Sequence, residues 1–274
     1  MSLRLFATYL ILSVLAIASV YPALWIVLSS FKTGNSLYSE TFFPSSLTLD
    51  HYKDLFTSQL YHYPIWFMNT LKVAVFSTLF GSLLTMLGSY AIARFRFPGR
   101  KQGLMLMLIL NMFPGFMAMS SIFILLSQIN MLNNHWALIL VYSSGSFVMN
   151  VFVAKGFYDT IPRSLEEAAL IDGATHTIVF WKIIFPLSRP MLTYISLVIF
   201  SGAWVDFIFA RLILRSQEKI TLAVGLYEMV SQRNSTEFTM FAAGAVLLAI
   251  PIIILYFWLQ RYLIDGLTVG ASKG

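Results

Sequence analysis

Six stretches of this chain run for about twenty residues or more with almost no charge, and they limit the fold more than any other feature. A helix needs about 20 mostly apolar residues to cross a bilayer, because its backbone polar groups must be satisfied inside the segment. Residues 5–31 carry no charge. Residues 65–94 are interrupted by Lys72 alone before Arg94 closes the run. Residues 103–127, 136–154 and 238–260 are charge-free, and 190–210 hold one acid, Asp206, before the loop. The expected fold is therefore an all-α membrane protein of six transmembrane helices, built as a single domain over residues 1–274. With 58% hydrophobic and 11% charged residues, the chain lies far from the soluble average of about 25% charged. Ala16-Ile17-Ala18 imitates a signal-peptide cleavage site, but the apolar run continues to Phe31, so the segment reads as retained.

Lysine and arginine set the orientation. With the N-terminus inside, Arg4, Arg94, Arg96, Arg100, Lys101, Lys155, Arg163, Lys182, Arg189, Arg261 and Lys273 fall on the cytoplasmic side. Lys32, Lys53, Arg211, Arg215, Lys219 and Arg233 fall outside. Eleven against six places both termini in the cytoplasm. The net charge of +6 then belongs to loop flanks beside lipid, and nucleic acid is not an expected partner. With no cysteine, disulfides and thiolate metal sites are excluded. His51, His62, His135 and His176 lie in loops or at span ends without metal-ligand spacing, which leaves a membrane-embedded metalloenzyme without support.

Loop 155–189 holds the chain's most distinctive polar block, Ser164 to Thr175, followed by Ile183-Ile-Phe-Pro186. Pro162 blocks an earlier helix start. Ser164 and Glu167 stand at capping-box spacing, in which each side chain satisfies the other residue's backbone N–H. Gly173 supplies a left-handed residue to end a short helix, and Thr175 or Thr177 then caps a second helix reaching Pro186. The expectation is a rigid helix, turn and helix on the cytosolic side, with Glu166, Glu167 and Asp172 displayed to a docking partner.

Glu167-Ala168-Ala169, Gly173, Ile183 and Pro186 resemble the EAA loop of binding-protein-dependent ABC importer permeases, with Phe185 where that family usually has Leu. The resemblance extends to Leu47–Tyr52, Ala91–Phe95 with Phe97-Pro98-Gly99, and Gln260 through the tail Gly270–Gly274, and is similar to the carbohydrate-uptake branch of maltose type. It implies a type I ABC importer permease fold in a bacterial or archaeal inner membrane. The implied cargo is a carbohydrate, as a malto-, galacto- or raffinose-type oligosaccharide. The implied partners are a second homologous permease, two cytosolic ATPase subunits and an extracytoplasmic solute-binding protein. Ser164, Glu166, Glu167, Ala168, Ala169, Asp172, Gly173, Ile183 and Pro186 become ATPase-coupling candidates. Lys273 and Gly274 in the tail become ATPase contacts, and Gln232, Arg233, Asn234 and Ser235 binding-protein contacts. The chain has no Gly-x-x-x-x-Gly-Lys-[Ser/Thr] pattern, so no cofactor is expected on it. ATP and Mg belong to the partner ATPases, and the chain itself is not expected to be an enzyme.

Outside the loop, Asn111 and Pro114 interrupt the third apolar run, where proline permits a kink suited to alternating access. Asp206, an acid within a span, is a translocation-path candidate, with a helix-paired or hydrated carboxylate as the plainer alternative. Lys72 reads as snorkelling to the outer interface. The apolar residues of 221–231 suggest a short helix on the membrane interface. An ion-coupled secondary transporter of a small polar solute is the competing function. It calls for several buried acids or paired broken helices, and Asp206 supplies one acid.

Overall fold

The computed structural model describes residues 3–35, 43–44, 46–58, 61–231 and 237–271. Among these residues helix is the regular structure throughout; the pairing of Lys32 with Leu47 is an isolated bridge. Four helices are long and apolar enough to cross a membrane: α1 (Leu3–Ser30), α3 (Tyr63–Arg94), α6 (His135–Thr160) and α13 (Phe238–Ala271). The number rises to six if each of two bent helix pairs is one span.

The first bent pair falls in the run 103–127, at the interruption that Asn111 and Pro114 suggest. Helix α4 (Arg100–Met112) and helix α5 (Gly115–Gln128) meet at 105°, far beyond a kink. Phe113 is extended, with ψ 134°, as a residue before proline must be. Pro114 offers no N–H to the preceding turn, so the chain restarts as a new helix. The second pair bends just before the run 190–210. A helical segment His176–Leu187 meets α10 (Arg189–Val205) at 75°. Helix α10 then stops at Asp206, ψ 126°, before the short α11 (Ile208–Ile213).

Helix α6 runs past residue 154 into the expected loop, ending at Thr160. Lys155 and Asp159, an i,i+4 ion pair, stabilise that extension by a few tenths of a kcal/mol, about the usual surface value. Ile161 before Pro162 is extended, with ψ 122°, and ends it.

Two compact units divide the chain. The first comprises the described residues of Met1–Phe67 and Leu222–Pro251. Here His51 Nε2, on α2 (Asp50–Thr57), pairs with the Lys32 carbonyl at 2.8 Å, and Thr239 donates to the Gly34 carbonyl at 2.6 Å. The short helix suggested within 221–231 is α12 (Leu222–Ser231), and its Leu222, Val224, Gly225, Leu226 and Met229 are buried against protein. It packs by Gly225 against Trp66 and by Leu226 against Gly244. The residues of α1 from Leu5 to Leu24, by contrast, leave their large apolar side chains about half exposed, which suits a helix surrounded by lipid.

The second unit comprises Met68–Thr221 and the described part of Ile252–Gly274. Helices α3 and α6 approach closely because α3 carries glycines one heptad apart. A Cβ at Gly81 would lie 2.6 Å from Ser146 Oγ, and one at Gly88 would lie 2.5 Å from the Phe147 ring. Small residues are the usual means of bringing membrane helices together. The core below them gathers Met86, Tyr90, Ala93, Ala154, Tyr158, Ile161, Val179, Phe180, Ile184, Met191, Ile195 and Ile199. That core is the seat of the segment between α6 and α10.

Candidate functional site

Residues 164–187 form the helix-turn-helix that the sequence suggests, with a different arrangement at its start. Helix α7 (Ser164–Ile171) has no capping box. Arg163 is already helical, with φ −64° and ψ −27°, and its carbonyl accepts from the N–H groups of Glu166 and Glu167, both at 3.0 Å. An N-cap residue needs extended backbone for its side chain to reach the N3 donor. The tight turn after Pro162 starts the helix one residue early, so Ser164 is inside the first turn and exposed.

The other end of α7 behaves as expected. Gly173 has φ +87°. Its N–H donates to the Leu170 carbonyl at 3.1 Å, and Ala174 N–H to the Ala169 carbonyl at 2.9 Å. These are the two bonds of a Schellman turn, with glycine at its left-handed position. Thr175, not Thr177, caps the next helix, its hydroxyl accepting from Ile178 N–H.

That second helix is not uniformly α. After α8 (His176–Val179), residues Phe180–Ile184 take π geometry, and α9 (Phe185–Leu187) completes the segment. Phe185 N–H reaches back five residues to the Phe180 carbonyl. The next residue is Pro186, which has no N–H, so the α-helical partner of the Lys182 carbonyl is missing. The π turn puts Phe180 and Ile184 in the core, with Ile183 and Phe185 packed partly against it.

The three acids of the block separate into two environments. Glu167 and Asp172 are exposed as expected. Glu166 is not displayed: it is 8% exposed, and each of its carboxylate oxygens has a partner on the last turn of α3. Arg94 Nε donates to Oε1 at 2.5 Å, and Tyr90 Oη donates to Oε2 at 2.9 Å. Arg94 also donates through Nη2 to the Ile161 carbonyl at 2.8 Å, and Arg163 Nη2 donates to the Ala93 carbonyl at 3.4 Å. Tyr90 touches Tyr158 and Phe180, with ring centroids 5.6 and 4.9 Å apart. Phe95 meets His176 edge-on at 5.2 Å. The block is therefore clamped to the end of α3 along one side.

Its opposite side is open. Ala168 is exposed, and so are the large side chains of Leu165 and Ile178; Ile171 is 86% exposed. Ala169 faces the core. The result is a short helix with one locked face and one face of apolar and acidic side chains.

Tyr90, Arg94 and Arg163 are site residues that the sequence does not single out. The available signal is a basic residue ending an apolar run, which counts toward orientation and says nothing of the Arg94–Glu166 pairing 72 positions away.

The remaining candidates lie elsewhere. Asn111 Nδ2 donates to the Val148 carbonyl at 2.8 Å, tying the end of α4 to α6 just before Pro114. Asp206 Oδ2 accepts from Tyr142 Oη at 2.7 Å and from Ala210 N–H at 2.8 Å, so its carboxylate bridges the break before α11. Lys72 is exposed on α3. Gln232, Arg233, Asn234, Ser235, Lys273 and Gly274 lie outside the described residues.

Residues 81–269 match the family described as binding-protein-dependent transport system inner membrane component. The galactooligosaccharides transport system permease protein GanQ of Bacillus subtilis is 43% identical, over 99% of this chain and 96% of that protein. The maltodextrin transport system permease protein MdxG of the same organism is 40% identical, over 97% and 95%. Among solved structures, a bacterial ABC transporter involved in the import of the acidic polysaccharide alginate has a chain with the same fold. Its TM-score is 0.83 at 24% identity, covering 94% of this chain and 96% of that one. The matched segment contains the whole helix-turn-helix and the turn of α3 that clamps it, and the chain belongs to the family of binding-protein-dependent transport system inner membrane components.

Proposed function

We propose that the chain is one permease subunit of an ABC importer for an oligosaccharide of the galacto- or maltodextrin class, moving its cargo inward by alternating access. The observation that carries this reading is α7, fixed on one side by Glu166 and presenting Leu165, Glu167, Ile171 and Asp172 away from it. A short helix of this kind, closed by its glycine turn, is suited to enter a cleft in a cytosolic ATPase and to follow its closure. The partners are a second homologous permease, two such ATPases carrying ATP and Mg, and an extracytoplasmic solute-binding protein. Each bent helix pair counts as one span, giving six, with both termini and α7 cytoplasmic. The ion-coupled alternative has less support, because the Asp206 carboxylate is engaged by Tyr142 and the Ala210 N–H.

The test is uptake in vesicles holding the two permeases and the ATPases. Uptake of a galacto-oligosaccharide or maltodextrin that requires both ATP and the binding protein supports the reading. Uptake driven by a proton or sodium gradient without ATP overturns it.

A further inference from the structure

We propose that Glu166 is a positioning residue whose carboxylate, held by Arg94 and Tyr90, makes α7 and the last turn of α3 move as one body. Displacement of α7 by a partner would then reach the membrane through this clasp. The inference rests on the importer reading above and assigns a separate task to the acid beside Glu167.

Three observations carry it. First, the ion pair is enclosed: the side chains of Arg94 and Glu166 are 5% and 11% exposed. A buried pair of this kind tolerates poorly the loss of one partner, since the other is left charged in a low dielectric. It resists separation for the same reason. Second, the attachment is two-pronged. Tyr90 and Arg94 are i,i+4 neighbours on one face of α3, and they take different oxygens of one carboxylate. This fixes α7 in rotation as well as in distance. Third, the same turn of α3 holds both flanks of α7. Arg94 bonds the Ile161 carbonyl, Arg163 bonds the Ala93 carbonyl, and Tyr90 packs on Phe180 beyond the Gly173 turn. The charged clasp is therefore the centre of a continuous contact between the cytosolic block and α3. Glu167, one residue on, is exposed and is left for the partner.

The experiment compares Glu166→Gln, Arg94→Gln, the double variant and Tyr90→Phe in the complete importer, reconstituted with binding protein and a maltodextrin or galacto-oligosaccharide. The readout is uptake per ATP hydrolysed in the same vesicles, which a purely stabilising contact would not move. Each glutamine variant is expected to lower that ratio by about fivefold or more, and the double variant to lower it no further than the worse single, as for two members of one interaction. Tyr90→Phe removes one hydrogen bond and leaves no unpaired charge; it is expected to lower the ratio by about twofold. Unchanged ratios in the glutamine variants, or losses that multiply in the double, would overturn the proposal. If the glutamine variants do not assemble, Tyr90→Phe decides: a wild-type ratio there would overturn it. Absence of ATP-driven uptake by the unaltered importer would overturn the importer reading itself, before any variant is compared.

Discussion

Gly225 lies so close to the indole of Trp66 that a Cβ built on it would stand 2.1 Å from the ring. Trp66 is 1% exposed and has little room to retreat. Alanine would gain about 1 kcal/mol in helix propensity, against an overpacking penalty of typically about 1–3 kcal/mol. The contact falls well below any real Cβ distance, so the penalty is expected to win. Gly225→Ala should lower the Tm of the purified protein in detergent. Gly145→Ala, with nothing within 4 Å of the new Cβ, should not. Equal Tm values for the two variants would contradict this packing.

Gly173 offers a cleaner test of backbone conformation. Its φ is +87°, and no atom lies within 4 Å of the place a Cβ would occupy, so any penalty comes from the left-handed backbone alone. Gly173→Val is expected to distort the turn and reduce uptake strongly while membrane insertion persists. Gly173→Asn should retain most uptake, because asparagine tolerates that region with a short polar side chain. Equal activity of valine and asparagine would show that the turn does not set the position of α7.

Asp206 separates structural from transport roles. Asp206→Asn keeps an oxygen that can accept from both Tyr142 and the Ala210 N–H. It is expected to leave Tm and uptake near wild type. Asp206→Leu leaves the Tyr142 hydroxyl without its acceptor, at a penalty of about 1–3 kcal/mol, and should lower Tm. A stable Asp206→Asn protein that no longer transports would mean that the charge itself serves the path.

What the sequence makes legible follows from how local each signal is. Gly173 and Thr175 act on neighbours a few residues away, and both do what their residue types suggest. Pro114 announces a break, but the 105° turn depends on how α4 and α5 pack afterwards, and no local rule contains that. Ser164 and Glu167 have the spacing of a capping box and still do not form one, because the helical backbone of Arg163 moves the start. Glu166 looks like a second displayed acid until α3 supplies Arg94 and Tyr90, 72 and 76 positions away. Long-range pairing of that kind is invisible to periodicity. The π turn at Phe180–Ile184 is intermediate: Pro186 explains a disturbed ladder, whereas the core contacts of Phe180 and Ile184 select its form.

Sidedness can be read with single cysteines, since the chain has none of its own. Ser164 and Glu218 are both exposed. Glu218→Cys should react with a membrane-impermeant maleimide added to intact cells. Ser164→Cys should react only after permeabilisation. The reverse pattern would place α7 outside and remove it from any cytosolic partner.

The open face of α7 is expected to meet an ATPase, and Ile171, 86% exposed beside the Schellman turn, is the position from which to ask. Ile171→Cys, labelled with a benzophenone maleimide in the assembled importer, is irradiated and the adducts are identified by mass spectrometry. The expected result is a covalent adduct with the ATPase subunit, formed in high yield only when that subunit is present. Adducts confined to lipid or to the second permease, with the ATPase present and active, would contradict it.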